Sequence, residues 1–87
     1  MNTREKDDQL TPQHFNIKCF PRDFDAIAHD LQRFVIVYDR GFRTGDYLNL
    51  QKTDGREYMG KSIEVYITRI SNHYQAEGYV VLGIAVD

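Results

Sequence analysis

The sequence from Phe34 to Leu50, FVIVYDRGFRTGDYLNL, predicts two β-strands joined by a loop. Phe34–Tyr38 consists of β-branched and aromatic residues and is too short for an independent helix. Tyr47–Thr53 begins with the alternation of apolar and polar residues that is typical of a half-buried strand. The intervening loop contains two glycines, two arginines and Phe42, whose ring we expect to be exposed. Because loops held by rigid strands often carry binding residues, this loop is a candidate site.

The rest of the chain predicts three further strands and one helix. The strands are expected at Gln13–Phe20, Lys61–Ile70 and Gly78–Val86, with a bulge or a strand end near Thr68-Arg69, where the alternation of the second of these strands changes phase. The helix is expected from about Arg22 to Leu31, because four apolar residues recur there at helical spacing: Phe24, Ile27, Ala28 and Leu31.

These elements predict a mainly β domain with one helix, in the α+β class. Five strands in 87 residues favour a small closed or nearly closed barrel, with the helix over one end. Residues 1–12 are polar and are expected to form a flexible tail, which leaves 13–87 as a single domain.

Composition excludes several functional classes. The single cysteine, Cys19, cannot form an internal disulfide, and no histidine or cysteine spacing suggests a metal site. We therefore expect no metal and no cofactor. The first eleven residues contain five charges and no apolar run, and no apolar run in the chain approaches a membrane span. A cytoplasmic protein without a membrane partner is the expectation.

Basic residues with aromatic neighbours recur along the chain, as at Lys18 with Phe20, and at Arg40 with Phe42. Such pairs hold single-stranded RNA through phosphate contacts and base stacking. They also occur by chance on any surface rich in charge, and the net charge of −2 argues against electrostatic attraction by the domain as a whole. An RNA or nucleotide partner therefore requires a local patch.

Several segments resemble the ASCH (activating signal cointegrator homology) superfamily, and are most similar to its small bacterial and phage members of unassigned function. The segments are Asn16–Pro21, Phe24-x-Ala26-Ile27, Asp39-Arg40-Gly41-Phe42-x-x-Gly45-Asp46 and Gly78–Leu82. The resemblance covers about residues 14–86. It implies a PUA-like β-barrel with a helix after the first strand and an association with RNA. The family cleft lies beside the first strand, the helix and the second strand.

Some similar proteins hydrolyse an N4-acetylcytidine amide with a lysine, a threonine and a glutamate. Here Val35 and Val37 occupy the positions at which the resemblance implies glutamate and arginine, and Asp30 replaces a glycine. Because valine cannot transfer a proton, the sequence disfavours an enzyme, although residual amidohydrolase activity stays as the least favoured alternative. The two valines are expected to form an apolar pocket floor.

The favoured hypothesis is a non-catalytic RNA-binding ASCH/PUA-like domain that holds RNA or a nucleotide beside strand 1 and the 39–45 loop. Phosphate or base-edge contacts are expected from Lys18, Arg40 and Arg43, and stacking from Phe20, Phe42 and Tyr66. The alternative is a protein-interaction module or a homodimer, for which an exposed apolar patch around Val35 and Val37 is the expected sign.

Overall fold

The computed structural model describes residues 11–73 and 75–87. Five strands and one helix follow one another in the chain: β1 (His14–Cys19), α1 (Pro21–Ala28), β2 (Phe34–Tyr38), β3 (Tyr47–Thr53), β4 (Tyr58–Ser71) and β5 (Tyr79–Val86). The β-rich α+β class is thereby confirmed. The predicted tail lies outside the described residues except for Thr11 and Pro12, which are exposed and belong to neither helix nor strand.

The strands form one sheet in the order β1-β3-β4-β5-β2, curled into a half-barrel that is open between β1 and β2. β1 runs parallel to β3, with His14 opposite Tyr47, and the other neighbours are antiparallel. Of the two alternatives near Thr68-Arg69, the bulge is confirmed, because the register between β4 and β5 shifts between Ile67 and Arg69 and β4 continues to Ser71.

Alternation sets the two faces of the sheet. Apolar side chains fill the concave side, and the core comprises Ile17, Cys19, Phe24, Ile27, Val35, Phe42, Leu48, Leu50, Val65, Ile67, Val80, Leu82 and Ile84. The opposite face of the sheet, directed away from this core, is called the outer face below. At ~25 cal/mol per Å² of buried apolar surface, the core is the main stabilising contribution to this small fold.

Helix α1 begins at Pro21, a residue that suits the first helical turn, and buries Phe24 and Ile27 against the core. The predicted extension to Leu31 is wrong. The helix ends at Ala28 because Asp30 has a left-handed backbone with φ 60°, and the main-chain N–H of Leu31 donates to the carbonyl of Ala26 at 2.8 Å. This Schellman-type ending leaves Leu31 81% exposed.

The expected role of Val35 and Val37 also requires correction. Val35 belongs to the core and Val37 packs against it, so these side chains form neither a pocket floor nor an exposed patch. The exposed apolar side chains of β2 are instead Phe34, Ile36 and Tyr38, on the outer face. Alternation alone explains the difference, since adjacent residues of a strand point to opposite faces.

Candidate nucleic-acid interface

The 39–45 loop crosses from β2 to β3 and closes one end of the half-barrel. Phe42, expected to be exposed, is only 6% exposed and packs edge-on against Phe15 with ring centroids 4.7 Å apart. A buried ring offers no face to a base, and Phe42 is therefore a core residue. The apolar end of the barrel accounts for its position, because leaving Phe42 in water would expose both this ring and that of Phe15.

Asp46 anchors this loop. Its side chain is 1% exposed and accepts hydrogen bonds from the main-chain N–H groups of Gln13 and Arg43, both at 3.0 Å. At the other end of the loop, Asp39 accepts a bond from the N–H of Gly41 at 2.9 Å, and φ of Gly41 is +83°. The motif from Asp39 to Asp46 is thus explained by the folding of the loop itself.

Arg40 extends from this loop to the edge of β1. Its Nη1 donates to the carbonyl oxygen of Asn16 at 3.1 Å, and its guanidinium carbon lies 5.2 Å from the ring centre of Phe15. The side chain is exposed. The loop therefore places a permanent positive charge at the open edge of β1, over the ring of Phe15, which packs against the core. Arg43 belongs to the same loop and is half-buried.

Aromatic rings cross the outer face of β1, β3 and β4 in one row. His14 stacks on Tyr47 with centroids 5.0 Å apart and planes 10° apart, and Tyr47 meets Tyr66 edge-on at 6.3 Å. These three residues, named here the aromatic row, are directly opposite one another in the sheet register. Tyr66 is 37% exposed and His14 is exposed, so ring surface is available to a ligand.

A polar row lies next to the aromatic row. Asn16, Asn49 and Glu64 are opposite one another in the register, and Asn49 Nδ2 donates to Asn16 Oδ1 at 3.4 Å. Glu64 Oε2 lies 3.8 Å from Nδ1 of His14. The carboxylate disfavours a phosphate at this point, while amide and carboxylate oxygens can accept hydrogen bonds from a base.

The far end of β1 contributes to a cleft of about 200 Å³, named here the Lys18 cleft. Its lining combines two cations, one aromatic ring and hydrogen-bonding groups: Lys18, Gln51, Thr53, Arg56, Glu57 and Tyr58. Lys18 lies opposite Gln51 on the outer face, and His14 is four residues away, about 13 Å along the strand.

The wall of the Lys18 cleft is a tightly bonded turn between β3 and β4. Thr53 Oγ1 donates to the carbonyl of Glu57 at 2.9 Å and accepts from the N–H of Gly55 at 3.1 Å. Asp54 Oδ1 accepts from the N–H groups of Arg56 and Glu57, and these bonds lower the pKa of the Asp54 carboxyl from its usual value. The turn is thereby fixed without a ligand.

Phe20 lies beside this turn. Its ring is 59% exposed, and a Cβ added to Gly55 would lie 3.2 Å from Phe20 Cε1. Only glycine allows this close approach at φ +97°, so the turn supports one edge of the ring and leaves the rest to solvent. Phe20 is therefore available for stacking.

The predicted site residues separate into two groups. Lys18, Phe20 and Tyr66 lie on or beside the outer face, with Arg40 at its edge, whereas Phe42 is buried and Arg43 is half-buried. Sequence reasoning missed other contributors to this surface: His14, Tyr47, Arg56 and Tyr58. The alternation of β3 gives a signal for Tyr47, but the partner of His14 depends on the parallel register of β1 with β3.

A larger cleft of about 620 Å³ lies between the end of α1 and the sheet. The titratable side chains in its lining are Asp30 and Arg33, which form an exposed ion pair at 2.9 Å. The hydrogen bond from Arg33 lowers the pKa of Asp30. The residues predicted to bind RNA do not contribute to this cleft.

The thiol of Cys19 belongs to the core. Burial, reinforced by the negative charges of Asp23 and Asp25, raises its pKa to about 11. At neutral pH the group is a thiol, which is a poor nucleophile.

Metal-binding clusters and membrane-spanning helices are both absent from the residues that the structure describes. Across residues 11–73 and 75–87, His, Cys, Asp and Glu side chains do not come together in a group of three or more that could hold a metal ion. Within the same residues, none of the helices has the length and apolar character needed to span a membrane.

Residues 14–84 match the model of a protein family described as a domain of unknown function, DUF3850. The chain belongs to the DUF3850 family. The match begins at the first residue of β1 and ends in β5, so both the aromatic row and the Lys18 cleft lie inside the DUF3850 domain. No curated protein matches the sequence.

Proposed function

We propose that this protein is a non-catalytic domain that binds single-stranded RNA across the outer face of β1, β3 and β4. The observation that carries the proposal is the aromatic row, in which His14 and Tyr66 are exposed and Tyr47, between them on the middle strand, is half-buried. A sheet face with exposed aromatic rings is a common platform for unstacked bases.

Cations lie at the open edge of β1 and at the far end of this strand. Arg40 bonds to the carbonyl of Asn16 at the edge, and Lys18 and Arg56 line the cleft at the far end. A single-stranded RNA extended along β1 would place its bases over the aromatic rings and its phosphates against these cations. Local charge of this kind is compatible with a net charge of −2, because screening at physiological salt limits electrostatic interaction to about 8 Å.

A PUA-like relationship is part of the same proposal. The early helix between β1 and β2 and the curled five-stranded sheet support it, together with the motif from Asp39 to Asp46. Binding without catalysis is proposed because Val35 and Val37 carry no titratable group at the positions where the resemblance implies a glutamate and an arginine.

Fluorescence anisotropy with labelled single-stranded RNA tests this function. Base stacking on an aromatic ring contributes about 1–3 kcal/mol, so we expect Tyr66→Ala to weaken binding by roughly 5- to 150-fold. The matched variant Tyr66→Phe retains the ring and should bind as the wild type does. Absence of binding below ~100 µM at low salt, where phosphate contacts are strongest, would refute the proposal.

The salt dependence separates phosphate contacts from stacking. Lys18→Ala should reduce the slope of log K against log salt concentration by about 0.7, the value for one phosphate contact with a single strand. Arg22→Ala removes an equal charge from the exposed side of α1 and should leave the slope unchanged. Equal effects of the two variants would show that the contact is not made at Lys18.

A further inference from the structure

Strand β2 forms an edge of the sheet, and among the described residues its outward main-chain groups pair with no other strand, while the carbonyl of Phe34 accepts a side-chain hydrogen bond from Gln32 Nε2 at 2.9 Å. At its two ends, Ile84 N–H donates to the carbonyl of Arg33 at 3.0 Å and Asp39 N–H donates to the carbonyl of Gly78 at 2.7 Å. In an antiparallel pair, successive residues alternate between bonding to the neighbouring strand and pointing away from it, so the main-chain groups of Val35 and Val37 bond to β5. The groups directed to the open edge are those of Phe34, Ile36 and Tyr38.

The same three residues present apolar side chains on the outer face. Phe34, Ile36 and Tyr38 are 44%, 52% and 61% exposed, and Tyr79 of β5 packs edge-on against Tyr38 with centroids 5.5 Å apart. These four residues are named here the β2 strip. Exposed apolar side chains beside an unpaired strand edge are the combination that most proteins avoid, since it invites pairing with another strand.

The opposite edge of the sheet, formed by β1, is protected against pairing with another strand, in contrast to the edge at β2. There Arg40 donates to the main-chain carbonyl of Asn16, prolines lie just outside β1 at Pro12 and Pro21, and the outer face carries Asn16 and Lys18. At β2 the bond from Gln32 Nε2 to the carbonyl of Phe34 covers one end of the edge, but the strand itself contains no charged side chain and no proline, and Ile36 and Tyr38 lie beyond that cover.

We propose that two copies of this protein associate by antiparallel pairing of their β2 strands about a two-fold axis at Ile36. In this register Ile36 faces its equivalent, and Phe34 of each copy faces Tyr38 of the other. The residues whose main-chain groups point to the open edge are thereby those that exchange hydrogen bonds. A two-fold interface requires such a self-complementary surface.

Charge complementarity selects a second copy as the occupant. The same register brings Arg33 of one copy opposite Asp39 of the other at both ends of the paired strands; both side chains are exposed, and the exposed ion pair of Arg33 with Asp30 would be shared with the partner's Asp39. Residues 1–10, MNTREKDDQL, fit this edge poorly, since they contain five charged residues and a single β-branched residue. The dimer leaves the aromatic row and the Lys18 cleft accessible, because these lie on other strands.

Analytical ultracentrifugation of the full chain across a concentration series tests the proposal. We expect a reversible dimer of the 10.2 kDa chain. Ile36→Lys places like charges at the two-fold axis and should weaken the dimer by at least ~100-fold. Leu31→Lys makes the same type of change at an exposed apolar residue outside the strip and should leave the dimer intact. A monomeric wild type, or a dimer that is insensitive to Ile36→Lys, would overturn the proposal.

Amide hydrogen exchange on the wild type gives a readout that needs no variant. Protection of the amides of Phe34, Ile36 and Tyr38 should rise with protein concentration, because those amides bond only in the dimer. Protection that does not depend on protein concentration would show that another part of the same chain covers the edge. Amides that stay unprotected at all concentrations would show an open edge. Either result contradicts the dimer.

Discussion

Asp46→Asn tests whether the loop motif is structural. The buried carboxylate accepts main-chain hydrogen bonds from Gln13 and Arg43 at 3.0 Å. An asparagine can accept one of them but directs its NH₂ group at the other donor. Since a hydrogen bond to a charged group contributes about 1.5–3 kcal/mol, we expect the free energy of unfolding to fall by about 2–3 kcal/mol. For a domain of this length, with a total of about 4–13 kcal/mol, that is a large fraction.

Urea denaturation followed by far-UV circular dichroism measures this loss, which should appear as a decrease of about 1–2 M in the midpoint. Asp39→Asn is the matched control at the other end of the same loop. Its side-chain oxygen can still accept the bond from Gly41, so the change should be below ~0.5 kcal/mol. Equal midpoints for the two variants would refute the argument that Asp46 anchors the loop.

Further stability predictions concern three sites. Asp30→Gly should unfold at a higher urea concentration than Asp30→Ala, since both changes remove the exposed ion pair with Arg33 but only glycine adopts φ 60° without strain. The raised pKa of Cys19 predicts slow alkylation of the native protein at pH 8. It also predicts that the stability contributed by the neutral thiol is full below pH 9 and declines towards pH 11, because the thiol ionises more readily in the unfolded chain. In thermal melts Cys19→Ser should lack this contribution to the decline. Nζ of Lys52 lies 2.9 Å from Asp25 and 5.7 Å from the ring centre of Phe24. Lys52→Met should change the free energy of unfolding by less than ~1 kcal/mol, whereas Lys52→Ala should lower it by about 1–2 kcal/mol, since only the second change removes the packed aliphatic part of the side chain.

Local alternation predicted the strands well because each strand has one buried face. The alternation of β1 and β4 buries Ile17, Cys19, Val65 and Ile67 on one face, and the phase change near Thr68 marks a bulge. The end of α1 was less predictable, since a left-handed conformation at Asp30 stops the helix without the usual glycine.

The candidate site was only partly predictable, because it depends on contacts between distant segments. Lys18 and Tyr66 could be assigned to an outer face from alternation alone. The stack of His14 on Tyr47 requires the parallel pairing of β1 with β3, which a crossover of many residues determines. Phe42 was misassigned because loops are usually exposed, whereas this one folds back to close an apolar barrel end.

The central claim is that RNA binds to the outer face of β1, β3 and β4. A ¹H–¹⁵N correlation titration of the labelled protein with single-stranded RNA at low salt tests it most directly. We predict the largest shifts at His14–Lys18, Tyr47–Gln51 and Ser62–Tyr66, with small shifts at Phe34–Tyr38. Shifts concentrated around the cleft between Asp30 and Val86, or no shifts at saturating RNA, would contradict the claim.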